Sequence, residues 1–521
     1  MTSLNLIRDP WIPVRHRSGR RSIRAPWDVL GDAADPAVAV AGPRADFDGG
    51  IVQLLIGLLQ TVMPPRDEDE WLERLDRPPD AGELRRRLEP LAGSFELLGP
   101  GPRFQQDPRV AGSGAKPLAV EKLLIDLGLD EGADHFTPNG SVGCLCLACA
   151  AAALATLQTS APAGGRGHRT SLRGGGPLTT LVTAADAAAT LWSTLWLNVL
   201  PGVPPPAGTG LFPWMADAGP GEPAAAPEVT PVDAHPLQAF FAMPRRLWLG
   251  EAVEGDCGLC GRQTLATVAD YQTRPNGIRY AGAWIHPLSP YRRFKNEEWL
   301  AVKGDADGIG YRHWLGLVVA AEGAGVRQAL PVQEILRDRD RLEAAGELRL
   351  WAFGYAMDNM KARAWSEGLM PIYAIPPELA VAYADDVRKL VEGAELARSC
   401  LRFAFKKLVA RRPKDVKRDP AHVSAGFWER TESRFYEIAR ELVEIHRRGE
   451  DAEPLRERWH RELVGAGSAV FEREVGQADF RASDPAQVAR AWNEMRRALY
   501  GKKMKQTLDL PVERPSKGDS G

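Results

Sequence analysis

The stretch PPELAVAYADDVRKLVEGAELARSCLRFAFKKLVAR, residues 376–411, decides how the chain divides. Its two leading prolines suit the first turn of a helix, where no intrahelical N–H bond is lost. From there onward apolar residues recur at helical spacing, with almost no strand signal. Helices are predicted over 378–411, 423–448, 453–474 and 485–507, parted by Pro413 and Pro420, by 449–454 and by 483–485. In the second, Phe427, Phe435, Ala439, Leu442 and Ile445 form one stripe. Such amphipathic helices with short connections predict a four-helix bundle over 376–510. Residues 511–521 read as a polar, disordered tail.

Upstream, residues 1–375 change texture, because short apolar runs are broken by Gly and Pro. Strands are expected at 4–7, 178–183 and 348–352, and 201–231, rich in Pro, Ala and Gly, is expected to be a long surface loop. The fold class is therefore α+β: a large mixed α/β N-terminal domain followed by the helical bundle. Two oily segments, 50–63 and 187–203, are interrupted by Gln53 and Gln60 and by Asn198 and Pro201. Both are too short for a bilayer and read as buried helices. The opening MTSLNLIRDPWIPV lacks a signal-peptide pattern, which implies a cytoplasmic protein without a membrane partner.

With 66 basic and 68 acidic side chains, the chain has no bulk attraction for phosphate, so nucleic-acid contact requires local patches or a complex that supplies charge. One such patch is Lys406, Lys407, Arg411, Arg412, Lys414, Lys417 and Arg418, which also fits a solvated helix end. Another is APAGGRGHRTSLRGGGPLTT, residues 161–180, where Arg166, Arg169 and Arg173 alternate with six glycines. Bare backbone of this kind can approach a groove closely while arginine supplies charge. It matches neither a Walker motif nor a dinucleotide fingerprint.

Six cysteines in a reducing compartment are too few for a disulfide framework. Cys146 and Cys149, and Cys257 and Cys260, form two C-x-x-C pairs, which together supply the four soft ligands of a closed structural Zn2+ site. An accidental spacing or a redox couple is the alternative, but no thioredoxin-like βαβ pattern surrounds either pair. Cys144 and Cys400 are expected to be small core residues.

In order along the chain, NLIRDPWIPV, Leu145-Cys146-x-x-Cys149, Ser171-Leu172-Arg173-Gly174-Gly175, Pro177-Leu178-Thr179-Thr180, Cys257-x-x-Cys260-Gly261, Trp284-x-His286-Pro287-x-Ser289-Pro290, Gly354-Tyr355 and Glu432-Ser433-Arg434-Phe435-Tyr436 resemble the CasA family. This is the large subunit of the type I-E CRISPR surveillance complex, Cascade. The resemblance implies recognition of the protospacer-adjacent motif in double-stranded DNA, opening of the duplex, contact with the crRNA 5′ handle and with other Cascade subunits, and recruitment of a helicase-nuclease effector. Base pairing would then read the rest of the target.

By that resemblance the glycine loop falls on Ala163, Gly164, Gly165 and Arg166, flanked by Gly167 and Arg169, and the glutamine wedge falls on Asn359. The lysine finger aligns with Pro275, leaving Arg274 or Arg279 as substitutes. The handle-contacting loop maps to His135, Phe136, Thr137, Pro138 and Asn139, with Phe136 able to stack on a base. Arg166 in place of a glycine implies an altered motif preference.

The competing class is a zinc hydrolase or nuclease. An all-cysteine site leaves no open position for water, and no H-E-x-x-H set or two-metal carboxylate cluster is visible. Asp385 and Asp386 are adjacent on a helix and are expected to be solvated. The expectation is a binding subunit with no catalytic residues; a purely architectural subunit is the third reading.

Overall fold

A computed structural model describes residues 3–127, 137–165, 167–187, 189–202, 210–216, 227–294, 298–319, 325–359, 361–409, 421–477 and 485–512. The predicted positions His135, Phe136, Arg166, Arg411, Arg412, Lys414, Lys417, Arg418 and the tail 513–521 lie outside them. The chain forms two compact units, Met1–Ala306 with Arg327–Ile372, and Asp307–Val326 with Tyr373–Gly521.

In the first unit the oily run 50–63 lies within the helix Ala45–Val62, whose Ile51, Leu55, Ile56 and Leu59 are buried. Burial of its two glutamines is tolerated because both are bonded. The amide of Gln60 exchanges hydrogen bonds with Leu200, at 2.9 and 2.8 Å, and Gln53 Oε1 accepts from Arg173 at 2.7 Å. Gly50 lets a second helix, Leu147–Ser160, come close: a Cβ there would lie 2.6 Å from Thr156 Oγ1. That second helix is apolar around most of its circumference and correspondingly buried. The other oily segment is helical only over Leu191–Trp196, where Trp192 and Trp196 stack at 5.0 Å. Asn198 ends it by turning its amide onto the backbone N–H and C=O of Val182, each at 2.8 Å. No helix among the described residues is long and apolar enough to cross a membrane.

A three-stranded antiparallel sheet has Leu348–Asp358 at its centre, flanked by Thr179–Ala184 and Lys361–Ile372. Trp351 faces Leu181 on one side and Leu369 on the other. The central strand runs well beyond the predicted 348–352. The expected strand at 4–7 is instead a turn, because Asn5 Oδ1 accepts the N–H groups of Ile7 and Arg8, each at 3.0 Å. The expected loop 201–231 is also corrected: Leu211, Phe212 and Trp214 are buried, and both rings pack on Phe95 and Phe241.

Among the described residues of the second unit, the helices Ala380–Val409, Ala421–Arg448, Glu453–Gln477 and Pro485–Leu499 follow one another, with a short fifth after them, Lys502–Thr507. The predicted helix 485–507 is broken at Gly501, whose extended conformation caps the fifth helix. Phe427, Phe435, Ala439 and Leu442 are buried as the stripe requires, and Trp459 Nε1 donates to Leu390 O at 2.9 Å. Asp386 departs from expectation: it is buried and paired with Arg456 at 2.9 Å and His446 at 3.1 Å. The segment Asp307–Val326, which carries no helical periodicity, contributes Tyr311, stacked on Phe435 at 4.4 Å and bonded to Thr431 at 2.7 Å.

Trp214→Ala removes the centre of the aromatic cluster and is expected to cost about 3–5 kcal/mol, read by denaturant unfolding. A loss below ~1 kcal/mol would mean that this segment is dispensable to the core.

Candidate metal centre and nucleic-acid loop

Cys146 sits where the short strand Leu145–Cys146 meets the buried helix Leu147–Ser160, and Cys149 lies in the first turn of that helix. The strand Gln263–Val268 pairs with both Leu145–Cys146, setting Thr267 opposite Cys146, and Val253–Asp256, setting Gln263 opposite Asp256. The Cys257–Cys260 knuckle, the tip of that second pairing, is thereby carried to the first pair. Within the knuckle Gly261 N donates to Cys257 O at 2.9 Å with φ at 68°, a left-handed conformation that favours glycine.

All four sulphurs lie within 4.8 Å of one another, and Cys146 Sγ is 3.7 Å from Cys260 Sγ. A tetrahedron with metal–sulphur bonds of ~2.3 Å has edges of ~3.8 Å, so the set fits a four-coordinate soft-metal ion. Electrostatics point the same way. Hydrogen bonds from Cys146 and Cys149 hold the Cys257 thiol far below its ordinary range. Cys149 is driven well above it by its bonds to Cys146 and Cys257 and by burial. Cys146 is lowered by its bond to Cys149 but raised more by Cys257 and burial, ending up at about 12. Four thiolates this close together require a cation between them. Cys144 and Cys400 are half-buried rather than core, and Cys144 Sγ donates to Asp256 O at 2.8 Å.

The glycine-arginine loop leaves the far end of the same helix. Gly164 lies under Arg245: a Cβ there would meet the guanidinium at 2.3 Å. Gly167, with φ at 82°, abuts Pro275, whose Cβ is 2.5 Å from where its own would stand, and accepts from Asn276 N at 2.9 Å. Gly165 projects into open space. A Cβ on Gly176 would lie 2.5 Å from Tyr355 O and 2.6 Å from Met357 Cγ, so the second glycine run packs on the central strand that ends at Asp358. Three predicted positions, the glycine loop, the finger at Pro275 and the hairpin bearing Asn359, thus share one support.

Individual side chains differ from expectation. Arg173 does not face solvent: it is buried and donates to Thr179 at 3.0 Å, Ser289 at 2.8 Å and Gln53. Arg169 is half-buried. Arg274 is held by its Nε to Ser113 Oγ at 3.0 Å, and Arg279 is exposed and paired with Glu228 at 2.8 Å, so both substitute fingers are engaged. Asn276, not anticipated, occupies the left-handed region at φ 62° beside the glycine loop, and the Pro275-Asn276-Gly277 turn signal was its sequence trace. Asn359 is exposed at the hairpin tip, where Asp358 pairs with Lys361 and φ is 54°. Asparagine tolerates that conformation well, which gives it a purely local reason to be there. In the segment expected to contact the crRNA handle, Thr137 Oγ1 accepts from Arg44 at 3.0 Å and Asn139 Oδ1 from Lys122 at 2.6 Å.

No carboxylate among the described residues pairs with Arg173, Arg245 or Lys303. Burial pushes both arginines down to about 10. Lys303 is exposed as a residue, and its ammonium donates to Arg173 O at 2.9 Å; desolvation there and the Arg173 charge push it down to about 8. Burial and Arg173 likewise hold His286 well below its ordinary value. Among the described residues, positive charge without a carboxylate partner lies against Gly164, at Arg245, and against Gly174, at Lys303.

The family model for CRISPR-associated protein Cse1 matches residues 5–469. The chain belongs to the Cse1 family. The structure of Thermus thermophilus CasA (Cse1), which bears both names, aligns with a TM-score of 0.69 at 18% identity, covering 96% of this chain and 99% of that one. Thermobifida fusca Cse1 aligns with a TM-score of 0.69 at 18% identity, covering 98% and 99%. A chain of a CRISPR RNA-guided surveillance complex aligns at 0.66 and 17% identity, covering 96% and 100%. The α+β architecture is therefore the Cse1 fold over nearly its full length, and the CasA resemblance read from the motifs names the same family.

Purified protein is expected to carry about one equivalent of zinc, and Cys257→Ser to lose it together with at least ~3 kcal/mol of stability. Metal analysis beside a melting curve checks both. Metal-free protein with four freely titrating thiols overturns the site.

Proposed function

We propose that this chain is the large subunit of a type I-E Cascade, that it reads the protospacer-adjacent motif in double-stranded DNA and helps open the duplex, and that it has no catalytic role. Family membership supports the first part, as does the likeness to a chain of a CRISPR RNA-guided surveillance complex. The observation that carries the second is the common support of glycine loop, Pro275-Asn276 turn and Asn359 hairpin, with Arg245, which has no carboxylate partner among the described residues, lying against Gly164. A polyanion supplies the missing counter-charge, and open glycine backbone at Gly165 can approach a groove. The DNA-reading set is Ala163, Gly164, Gly165, Arg166, Gly167, Arg169 and Asn359. Of the substitutes for the finger, Arg274 stands beside that loop but is committed to Ser113, so Asn276 joins the set.

On this reading residues 135–139 contact the crRNA 5′ handle and neighbouring subunits, structural zinc is held by Cys146, Cys149, Cys257 and Cys260, and the helicase-nuclease effector docks on the assembled complex. The role of zinc is to tie the knuckle to the start of the helix whose other end launches the glycine loop.

One observation favours the architectural reading, namely that the left-handed turn at Asn359 explains asparagine without any wedge. Asn359→Gly separates the two, since it keeps the turn and removes the amide. In reconstituted complex, Asn359→Gly, Arg166→Ala and Gly167→Ala are each expected to leave assembly intact and weaken motif-dependent duplex binding roughly ten- to a hundredfold, about 1.4–2.8 kcal/mol. Gel-shift titration against duplexes with and without the motif measures this. Unchanged discrimination in all three favours an architectural subunit.

A further inference from the structure

The side chain of Arg44 is largely buried and reaches four separate parts of the first unit. Its Nε and one terminal nitrogen hold the Asp46 carboxylate at 2.9 and 3.0 Å. The same terminal nitrogen donates to Asp126 Oδ1 at 2.8 Å and to the Tyr355 hydroxyl at 3.3 Å, and the other donates to Thr137 Oγ1 at 3.0 Å. Tyr355 in turn donates to Asp46 Oδ2 at 2.6 Å. Desolvation by full burial, with the Asp46 charge, holds the Tyr355 phenol protonated and therefore a donor.

The topology gives this cluster its meaning. Asp126 and Thr137 come from different stretches of the chain, and Thr137 belongs to the segment 135–139 that, on the reading above, meets the crRNA handle. Tyr355 lies on the central strand four residues before Asn359, and Gly176 of the second glycine run packs against its carbonyl. One terminal nitrogen has two hydrogens for three acceptors, Asp46, Asp126 and Tyr355, so the 3.3 Å contact to Tyr355 is a shared one and the firm link from Arg44 to Tyr355 runs through Asp46, to which the Tyr355 hydroxyl donates at 2.6 Å; a lysine at 44 could not span both acids and Thr137.

We propose that Arg44 is a positioning residue that couples the RNA-contacting segment to the hairpin bearing Asn359, with the Tyr355 hydroxyl as the link. The proposal rests on the functional reading above for what the two ends contact, but the link itself does not. Both ends share one hydrogen-bond set, so whatever orders Thr137 orders Tyr355, and the coupling is reciprocal. RNA bound at the loop would then favour the hairpin geometry used on DNA, so that the guide-loaded complex is the one prepared to read a motif.

Hydrogen-exchange mass spectrometry on the full chain tests it without RNA or DNA. Tyr355→Phe removes one hydroxyl and keeps the ring. It is expected to speed exchange of amides 137–142, more than two hundred residues away, by roughly tenfold. Thr137→Val is expected to do the same to amides 355–358. Ser366→Ala, which deletes another hydrogen bond of the same hairpin to Asp305 O, is the control and is expected to leave 137–142 unchanged. If Tyr355→Phe leaves 137–142 as in the parent chain, or if Ser366→Ala disturbs them equally, the link is overturned. A second arm adds a handle-sequence RNA: protection of 137–142 and of the hairpin together in the parent, but of 137–142 alone in Tyr355→Phe, supports the coupling. Hairpin protection equal in both chains overturns it. RNA that leaves both segments unprotected counts against the functional reading, while the first arm still decides the link.

Discussion

Everything in the first unit that bears on function hangs from one antiparallel pairing, Thr267 opposite Cys146. It closes a gap of about a hundred residues and brings two thiol pairs to the head of a helix buried on most of its surface. The order of elements on that helix then matters. At its N-terminal end lies a thiol set that wants a cation, and from its C-terminal end the chain runs straight into the glycine-arginine loop. The helix is packed closely against Ala45–Val62 through Gly50 and Thr156, so the base of the loop starts from a well-packed element. A loop rich in glycine has little order of its own and depends on such a rigid mount.

Charge is distributed in the same spirit. The chain as a whole is close to neutral, yet Arg173, Arg245 and Lys303 are gathered without a carboxylate among the described residues. Arg44 is the opposite case, one guanidinium between Asp46 and Asp126. Cations left uncompensated weaken the folded state, whereas a cation between two acids fixes geometry. The second arrangement serves internal alignment, and Gly176 and the Arg44 cluster both engage Tyr355.

Asn359 shows where sequence reading reaches its limit. The amide that a wedge would use and the left-handed φ that a two-residue hairpin turn demands both select asparagine, so its identity alone does not divide the readings. Arg274 shows a different limit. Its place beside Pro275 suggested a substitute finger, but its hydrogen bond to Ser113, far away in the chain, is a tertiary event with no trace in local sequence. The same holds for Asp386, solvated by its helical context and buried by its partners Arg456 and His446.

By itself the sequence determined the α+β class, most of the helices of the second unit and their apolar stripe, the two C-x-x-C pairs and the collinear family motifs. These are encoded locally, in a 3.6-residue periodicity, in C-x-x-C spacing and in proline and glycine punctuation, so they can be read without knowing what the chain folds against. Only the tertiary structure decided that the two thiol pairs meet, that Arg173 turns inward, that Leu211, Phe212 and Trp214 leave an apparent loop for the core, and that Asp307–Val326 belongs with the helical unit. Each of those depends on strand register or on side chains far apart in the chain finding one another, and such pairings leave no periodic signal for a single sequence to show.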